Sequence, residues 1–205
     1  MEVRIKCSDL VMLAEPTWTG AMSLSELDQI GVITHSSFLY FYEPSDVQHL
    51  PQTDAVFTTL KDSLSQALVH FYPLAGRLSL LGGGRLELGC NGMGAELIKA
   101  ESSVRLDDLC DYFCSRHHLQ SLFPPVDKNK SVDELPLLLV QVTTFGCGSI
   151  SIGISISHAA GYGPSMFHFL SKWARIARGK VLETPPHLDR TILLALRARQ
   201  WNHLP

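Results

Sequence analysis

The stretch 150–164, ISIGISISHAAGYGP, decides how the chain is organised. Isoleucine alternates with serine or glycine over its first eight positions, which is the two-residue period of a β-strand. His158 follows directly, and the alternation places it on the isoleucine side. Gly161 and Gly163 bound the exit from the strand, and Pro164 suits the first position of a helix. The stretch therefore predicts a strand, a tight loop that begins with a histidine, and a helix.

The flanking sequence supplies further strands and helices. From Val56 to Leu68 an apolar residue recurs at every fourth position, which predicts a long amphipathic helix. A second apolar face is expected in the helix after Pro164, which should end at Gly179. Because strands and helices do not alternate strictly, the pattern favours an α/β or α+β class with a largely mixed sheet. The segments predicted as strands are 3–7, 36–43, 95–100, 137–144 and 150–157, with a hairpin over 78–90 and a weaker helix over 106–119. The expected apolar face of the last helix consists of Phe167, Leu170, Trp173, Ala174 and Ala177.

Composition excludes several classes of protein. The 205 residues are 45% hydrophobic and 18% charged, with a net charge of −3, so the chain is too apolar for a disordered protein. The slightly acidic balance offers no electrostatic reason for nucleic-acid binding. Five cysteines at irregular spacing argue against a disulfide scaffold and favour free thiols in a reducing compartment. The N-terminus lacks a signal-peptide pattern, and the apolar run 135–140 is too short to span a bilayer. We therefore expect a cytoplasmic protein without a membrane or nucleic-acid partner.

His158 is the strongest candidate for chemistry. A histidine held at the end of a rigid strand, beside glycines that leave room for a cleft, is placed as a general base would be. The competing interpretation is a core histidine that is hydrogen-bonded to the backbone, and the pattern alone leaves both open.

A zinc site is a weaker alternative. Cys110, Cys114 and His118 recur at intervals of four, with His117 beside them, so one helix face could present all of them. The spacing matches no standard zinc motif, and a helix that happens to carry thiols explains it equally well. We therefore expect no metal. The glycines at 82–84 and 91–94 predict turns, because no phosphate-loop lysine follows them.

The sequence resembles that of the plant BAHD acyltransferases. The segments 135–149 and 151–179 are similar to the region of the HxxxDG motif, with His158 at the position of the motif histidine. Similarity extends over 14–44, 60–78, 82–96 and 185–190. Within the family, the sequence is most similar to spermidine hydroxycinnamoyl transferases, followed by the shikimate or quinate enzymes.

The resemblance implies a fold, a reaction and a set of site residues. The fold would be the N-terminal half of a chloramphenicol acetyltransferase-like protein, with a mixed β-sheet flanked by helices. His158 would act as general base in the transfer of a hydroxycinnamoyl-type group from acyl-CoA to a spermidine-like amine or a shikimate-like hydroxyl. Acyl-CoA would be a co-substrate, with no bound cofactor. Tyr40 and Phe38 would lie near the acyl pocket, where relatives often carry a small hydroxyl residue in place of Phe38.

Two departures from the family pattern bear on activity. Tyr162 stands where the motif aspartate is expected, directly before the motif glycine Gly163, and a phenol is neutral at pH 7 and cannot replace a carboxylate charge. Residues 1–186 correspond to the family's N-terminal domain and 187–205 to the start of the crossover with an atypical tail, so we expect the second domain, with its DFGWG motif, to be absent. The alternative function is therefore a non-catalytic truncated remnant, or an interaction partner of a full-length relative. Either would leave an apolar interdomain face exposed and prone to self-association.

Overall fold

Eight strands and four α-helices lie within residues 2–30, 34–47, 53–111, 119–127, 129–182 and 184–189, which are the residues that the computed structural model describes. The strands are β1 (Arg4–Val11), β2 (Gly20–Ser23), β3 (His35–Tyr42), β4 (Arg77–Leu80), β5 (Leu86–Cys90), β6 (Ala95–Ser102), β7 (Leu138–Phe145) and β8 (Ile150–Ser157). The helices are α1 (Glu26–Ile30), α2 (Thr53–His70), α3 (Leu106–Asp111) and α4 (Gly163–Ala177).

Five of the strands form a mixed sheet in the order β1-β6-β7-β8-β3. The β6 and β7 strands run parallel, and the other neighbours are antiparallel. The predicted mixed sheet in an α/β fold is thereby confirmed. In the register of this sheet, Ile156 of β8 lies between Leu138 of β7 and Ser36 of β3. The strand that leads to His158 is therefore held on both edges.

The isoleucine face of β8 forms the main core. Helices α2 and α4 pack on this face, and Ile154 and Ile156 are buried among their side chains. The indole Nε1 of Trp173 in α4 donates a hydrogen bond to Oγ of Ser63 in α2 over 3.0 Å. This contact joins the two helices beneath the sheet.

The serine face of β8 is also buried, although an alternating pattern usually indicates one exposed face. Ser151 and Ser155 are at most 2% exposed. The segment that follows residue 119 crosses this face, and Gln141 Nε2 donates a hydrogen bond to the carbonyl of Ser121 over 2.9 Å. Small residues on this side of β8 allow a backbone segment to approach the sheet closely.

Helix α4 presents a different face to the core from the predicted one. Phe167 was expected in the core and is 57% exposed, whereas Met166 and Phe169 are buried. The buried set, completed by Leu170 and Trp173, has the spacing i, i+3, i+4 and i+7 of one helix face. The prediction was wrong about Phe167 because several apolar side chains flank this buried face of the helix. Periodicity alone did not show which of them are buried. The helix ends at Ala177, two residues before the predicted end at Gly179, which follows the C-cap residue Arg178 and has a φ of +69°.

A second, three-stranded sheet has the order β2-β5-β4. The predicted hairpin corresponds to β4 and β5, which pair antiparallel. The short strand β2 was not predicted, because four residues with two small side chains show no clear alternation.

None of the helices in the described part of the chain has the length and apolar character of a membrane span.

Candidate active site

His158 lies at the junction of a strand and a helix. It follows the last residue of β8 and begins a single turn of 3₁₀ helix, His158–Ala160. Ala159 is fully buried and anchors this turn in the core, while the imidazole of His158 is partly exposed. The sequence therefore places the histidine where the backbone is fixed and the side chain remains accessible.

Strand β3 and the residue directly before it hold His158 at two points. The backbone N–H of His158 donates a hydrogen bond to the carbonyl of Thr34 over 3.0 Å. The ring Nε2 lies 2.8 Å from Oγ of Ser36. Ser36 is opposite Ile156 in the register, so the contact places the imidazole on the isoleucine face, as the alternation predicted. Nδ1 forms no hydrogen bond with the residues that the structure describes.

A second histidine lies close to His158. His35 precedes Ser36 in β3 and is partly buried, and its Nε2–H donates a hydrogen bond to the carbonyl of Pro136 over 3.1 Å. Burial lowers the pKa of His35, the bond to Pro136 opposes that shift, and positive charge on His158 adds to it. His35 is therefore neutral near pH 7 and places no positive charge beside His158.

Phe38 and Tyr40 continue the same face of β3 away from His158. The rings of Phe38 and Phe167 meet edge to face, with centroids 5.2 Å apart. Tyr40 is 36% exposed and lines a groove of about 880 Å³ between β3, β8, α2 and α4. The two residues predicted to lie near an acyl pocket are thus brought onto the strand that holds the histidine.

This groove is apolar along its floor and charged at one end. Ile152 and Ile154 line the floor, and Arg178 lies at the end that is near Tyr42. Burial raises the pKa of Tyr42, the neighbouring Tyr40 adds to that shift, and Arg178 opposes it. His158 does not itself line the groove.

Tyr162 and Gly163 form the start of helix α4. Tyr162 is the residue before the helix, and its carbonyl accepts a hydrogen bond from the backbone N–H of Met166 over 3.0 Å. Its side chain is 39% exposed, makes no capping hydrogen bond and lines a second cavity of about 220 Å³ together with Asp28 and His168. His158 is not among the lining residues of this cavity either. The site thus has a phenol in place of a carboxylate at the motif position.

Ser36 and His35 were missed by the sequence interpretation. Nothing local in the segment 36–43 shows which strand lies beside it, so the contact with a histidine 122 positions away has no sequence signal.

The zinc alternative rests on Cys114, His117 and His118, which lie outside the described residues, as does the side chain of Cys110. Among the described residues no group of three metal-ligating side chains is placed to hold a metal ion.

Comparisons with known proteins agree with this architecture. A model of the family described as the Transferase family matches residues 1–203. The hydroxycinnamoyl-CoA:piscidic acid hydroxycinnamoyltransferase of Actaea racemosa is 47% identical over 189 residues, which cover 92% of this chain and 41% of the relative. The shikimate O-hydroxycinnamoyltransferase of Nicotiana tabacum is 37% identical, with 95% of this chain and 44% of the relative covered.

The crystal structure of vinorine synthase has the same fold. It superimposes with a TM-score of 0.77 at 27% identity, and the match covers 92% of this chain and 46% of that chain. The chain spans less than half the length of each of these proteins. The expected correspondence to the N-terminal half of the fold is confirmed.

Proposed function

The chain belongs to the Transferase family, the BAHD acyltransferases, and from that premise we propose that it transfers an acyl group from acyl-CoA to a hydroxyl or amine acceptor with His158 as general base. The observation that carries the proposal is the placement of His158. Its ring is partly exposed at the end of a buried strand and lies within hydrogen-bond distance of one hydroxyl, and its backbone is fixed to Thr34, directly before β3. A catalytic base needs this combination of a fixed backbone and an accessible ring nitrogen.

The reaction follows from the chemistry of a neutral imidazole. His158 accepts the proton of the acceptor's O–H or N–H group as the oxygen or nitrogen attacks the thioester carbonyl. The tetrahedral intermediate expels the CoA thiolate, which takes the proton back from the imidazolium. General-base catalysis of this kind contributes about 10²–10⁴-fold in rate. No metal or bound cofactor takes part in these steps.

The substrate class comes from the named activities of the relatives. The relatives from Actaea racemosa and Nicotiana tabacum are both named as hydroxycinnamoyltransferases. We assign a hydroxycinnamoyl-type donor, and an acceptor that is either shikimate-like or spermidine-like. The shikimate-like acceptor has the support of the tobacco relative's name, and the spermidine-like acceptor rests on sequence resemblance.

Four further residues have roles in the proposal. Phe38 and Tyr40 bound the acyl group from the β3 side, since they follow Ser36 on the same face of the strand. Tyr162 replaces the motif aspartate, and Gly163 opens helix α4 directly after it. Residues 1–186 form the domain that carries the base, and 187–205 begin the crossover.

The test is CoA release by the purified 205-residue chain. The assay combines p-coumaroyl-CoA with shikimate or with spermidine and measures the free thiol. His158→Ala should lower the rate by about 10²-fold or more. His70→Ala, at the exposed end of α2, is the matched control and should keep the wild-type rate. A wild-type chain that releases no CoA with either acceptor, or a His158→Ala variant that is as fast as wild type, would contradict the proposal.

A further inference from the structure

The turn between β5 and β6 consists of Asn91, Gly92, Met93 and Gly94. Asn91 is exposed, and Gly92 is partly exposed with a φ of +65°, a conformation that favours glycine. Because glycine has no β-carbon, no side chain at position 92 shields its backbone nitrogen from the preceding residue. The side-chain amide of Asn91 and the nitrogen of Gly92 are therefore neighbours in the chain with nothing between them.

The backbone of this turn is arranged for an attack on the Asn91 side chain. The backbone N–H of Met93 donates a hydrogen bond to Oδ1 of Asn91 over 3.3 Å. This bond folds the amide over the intervening Gly92. It also directs a donor at the oxygen on which negative charge develops when Cγ is attacked. The N–H of Gly92 donates no hydrogen bond to any residue that the structure describes, so its proton is available to solvent.

We propose that Asn91 is a deamidation site, at which the folded chain converts a side-chain amide to a carboxylate. The nitrogen of Gly92 bonds to Cγ of Asn91 and loses its proton to solvent. The bond between Cγ and Nδ2 breaks, and the leaving nitrogen takes up a proton and departs as ammonia. Water then adds to one of the two carbonyl groups of the resulting succinimide ring and opens it, which gives aspartate or isoaspartate. Water is the only co-reactant, and the reaction is independent of the proposed acyl transfer.

A second exposed asparagine provides an internal reference. Asn129 lies in a loop and is followed by Lys130, whose side chain crowds the nitrogen that would have to attack. The backbone N–H and Nδ2 of Asn129 both donate hydrogen bonds to Oδ1 of Asp127, over 3.0 and 3.1 Å. These bonds hold the amide toward a residue that precedes it and not over the residue that follows. We therefore expect Asn129 to keep its amide.

The turn is packed closely against the rest of the fold. The N–H of Gly94 donates a hydrogen bond to the carbonyl of Ala75 over 2.9 Å, and Nη1 of the buried Arg77 donates one to the carbonyl of Gly94 over 2.8 Å. A β-carbon at position 94 would lie 2.6 Å from the carbonyl oxygen of Val11. Isoaspartate lengthens the main chain by one carbon at position 91. We therefore expect the isoaspartate form to unfold at a lower temperature.

Prolonged incubation of the purified chain at neutral and at mildly alkaline pH tests the proposal. Peptide mapping by mass spectrometry measures the amide that remains at Asn91 and at Asn129 in the same samples. In the native chain the amide of Asn91 should be lost at least about 10-fold faster, because one site has a donor for the oxyanion and the other has none. The loss should be faster at alkaline pH, since Gly92 must give up a proton. A native chain in which Asn91 loses its amide no faster than Asn129 overturns the proposal.

The same chain unfolded in guanidinium chloride separates the effect of the fold from that of the sequence. If the unfolded chain loses the Asn91 amide and the native chain retains it, the fold protects the site and the proposal is overturned. Asn91→Gln is the matched variant, because a longer side chain would have to close a less favourable six-membered ring. It should release less ammonia than the wild type, and equal release overturns the assignment to Asn91.

Thermal unfolding measures the consequence for stability. Asn91→Asp carries the aspartate product from the start, so it shows the effect of the new charge without the longer main chain. The aged wild type, which contains isoaspartate, should have a lower Tm than Asn91→Asp. An equal Tm would contradict the expected loss of stability.

Discussion

Gly153, in the middle of β8, lies so close to the backbone of Leu122 that a β-carbon at position 153 would be 2.1 Å from the Leu122 carbonyl oxygen. No atoms pack at that distance, so a side chain at this position would push the crossing segment away from the sheet. The glycine in the strand that leads to His158 is therefore required by a contact from another part of the chain.

Gly153→Ala should destabilise the protein strongly. The added methyl group overpacks the contact with Leu122, and we expect a loss of about 2–3 kcal/mol in the free energy of unfolding, measured by urea titration. Gly82→Ala is the matched control, because nothing lies within 4 Å of its β-carbon position, and it should change stability by less than about 0.5 kcal/mol. Equal stability of the two variants would contradict the close approach at Gly153.

Ser63→Ala should weaken the connection between α2 and α4. It leaves the buried Nε1–H of Trp173 without an acceptor, at a cost of about 1–3 kcal/mol in the free energy of unfolding. Thr58→Ala removes an exposed hydroxyl that bonds within the same helix, to the carbonyl of Asp54, and should cost far less. Urea titrations of both variants test the difference, and a stable Ser63→Ala variant would show that the indole finds another acceptor.

His35 should make stability depend on pH. Burial lowers its pKa in the folded protein below the ordinary value of about 6.5. The unfolded chain therefore takes up the proton first as the pH falls through 6.5, and the free energy of unfolding decreases below that pH and is unaffected by this group above it. His35→Gln keeps an N–H donor for Pro136 and does not titrate. Its loss of stability between about pH 7.5 and 5.5 should be smaller than that of the wild type, and equal losses would contradict the assignment.

Tyr162→Asp should stabilise helix α4. Tyr162 is the residue before the helix and its side chain makes no capping hydrogen bond, whereas an aspartate there can accept one from a backbone N–H of the first turn. We expect a gain of about 1 kcal/mol in the free energy of unfolding. Thermal unfolding of the wild type and the variant measures this effect, and a lower Tm for Tyr162→Asp would contradict it.

The edge of β3 should promote self-association of this chain. Tyr40, Phe41 and Phe167 are 36–57% exposed and surround the 880 Å³ groove. Exposed apolar surface of this kind commonly binds other apolar surface. Phe41→Lys should reduce concentration-dependent association in light scattering, while Leu80→Lys, which changes an exposed leucine on the smaller sheet, should not. A wild-type protein that is monomeric at every concentration measured would contradict the prediction.

Local periodicity accounts for the parts of the fold that the sequence predicted correctly. The repeat from Val56 to Leu68 lies within α2, and the alternation from Ile150 to Ser157 is β8 itself. Periodicity did not predict which face of α4 is buried. Apolar residues lie on both sides of the buried face, and only packing against α2 and the sheet buries Phe169 and leaves Phe167 exposed.

Patterns within a few residues were enough to predict the class of the sheet, the position of His158 at the end of a strand, and the side of that strand on which it lies. The residues that surround the imidazole could be identified only from the folded structure. Ser36, 122 positions earlier in the chain, and the carbonyl of Thr34 reach it only because β3 pairs with β8. Strand pairing joins residues that are distant along the chain, and no local pattern specifies the partner.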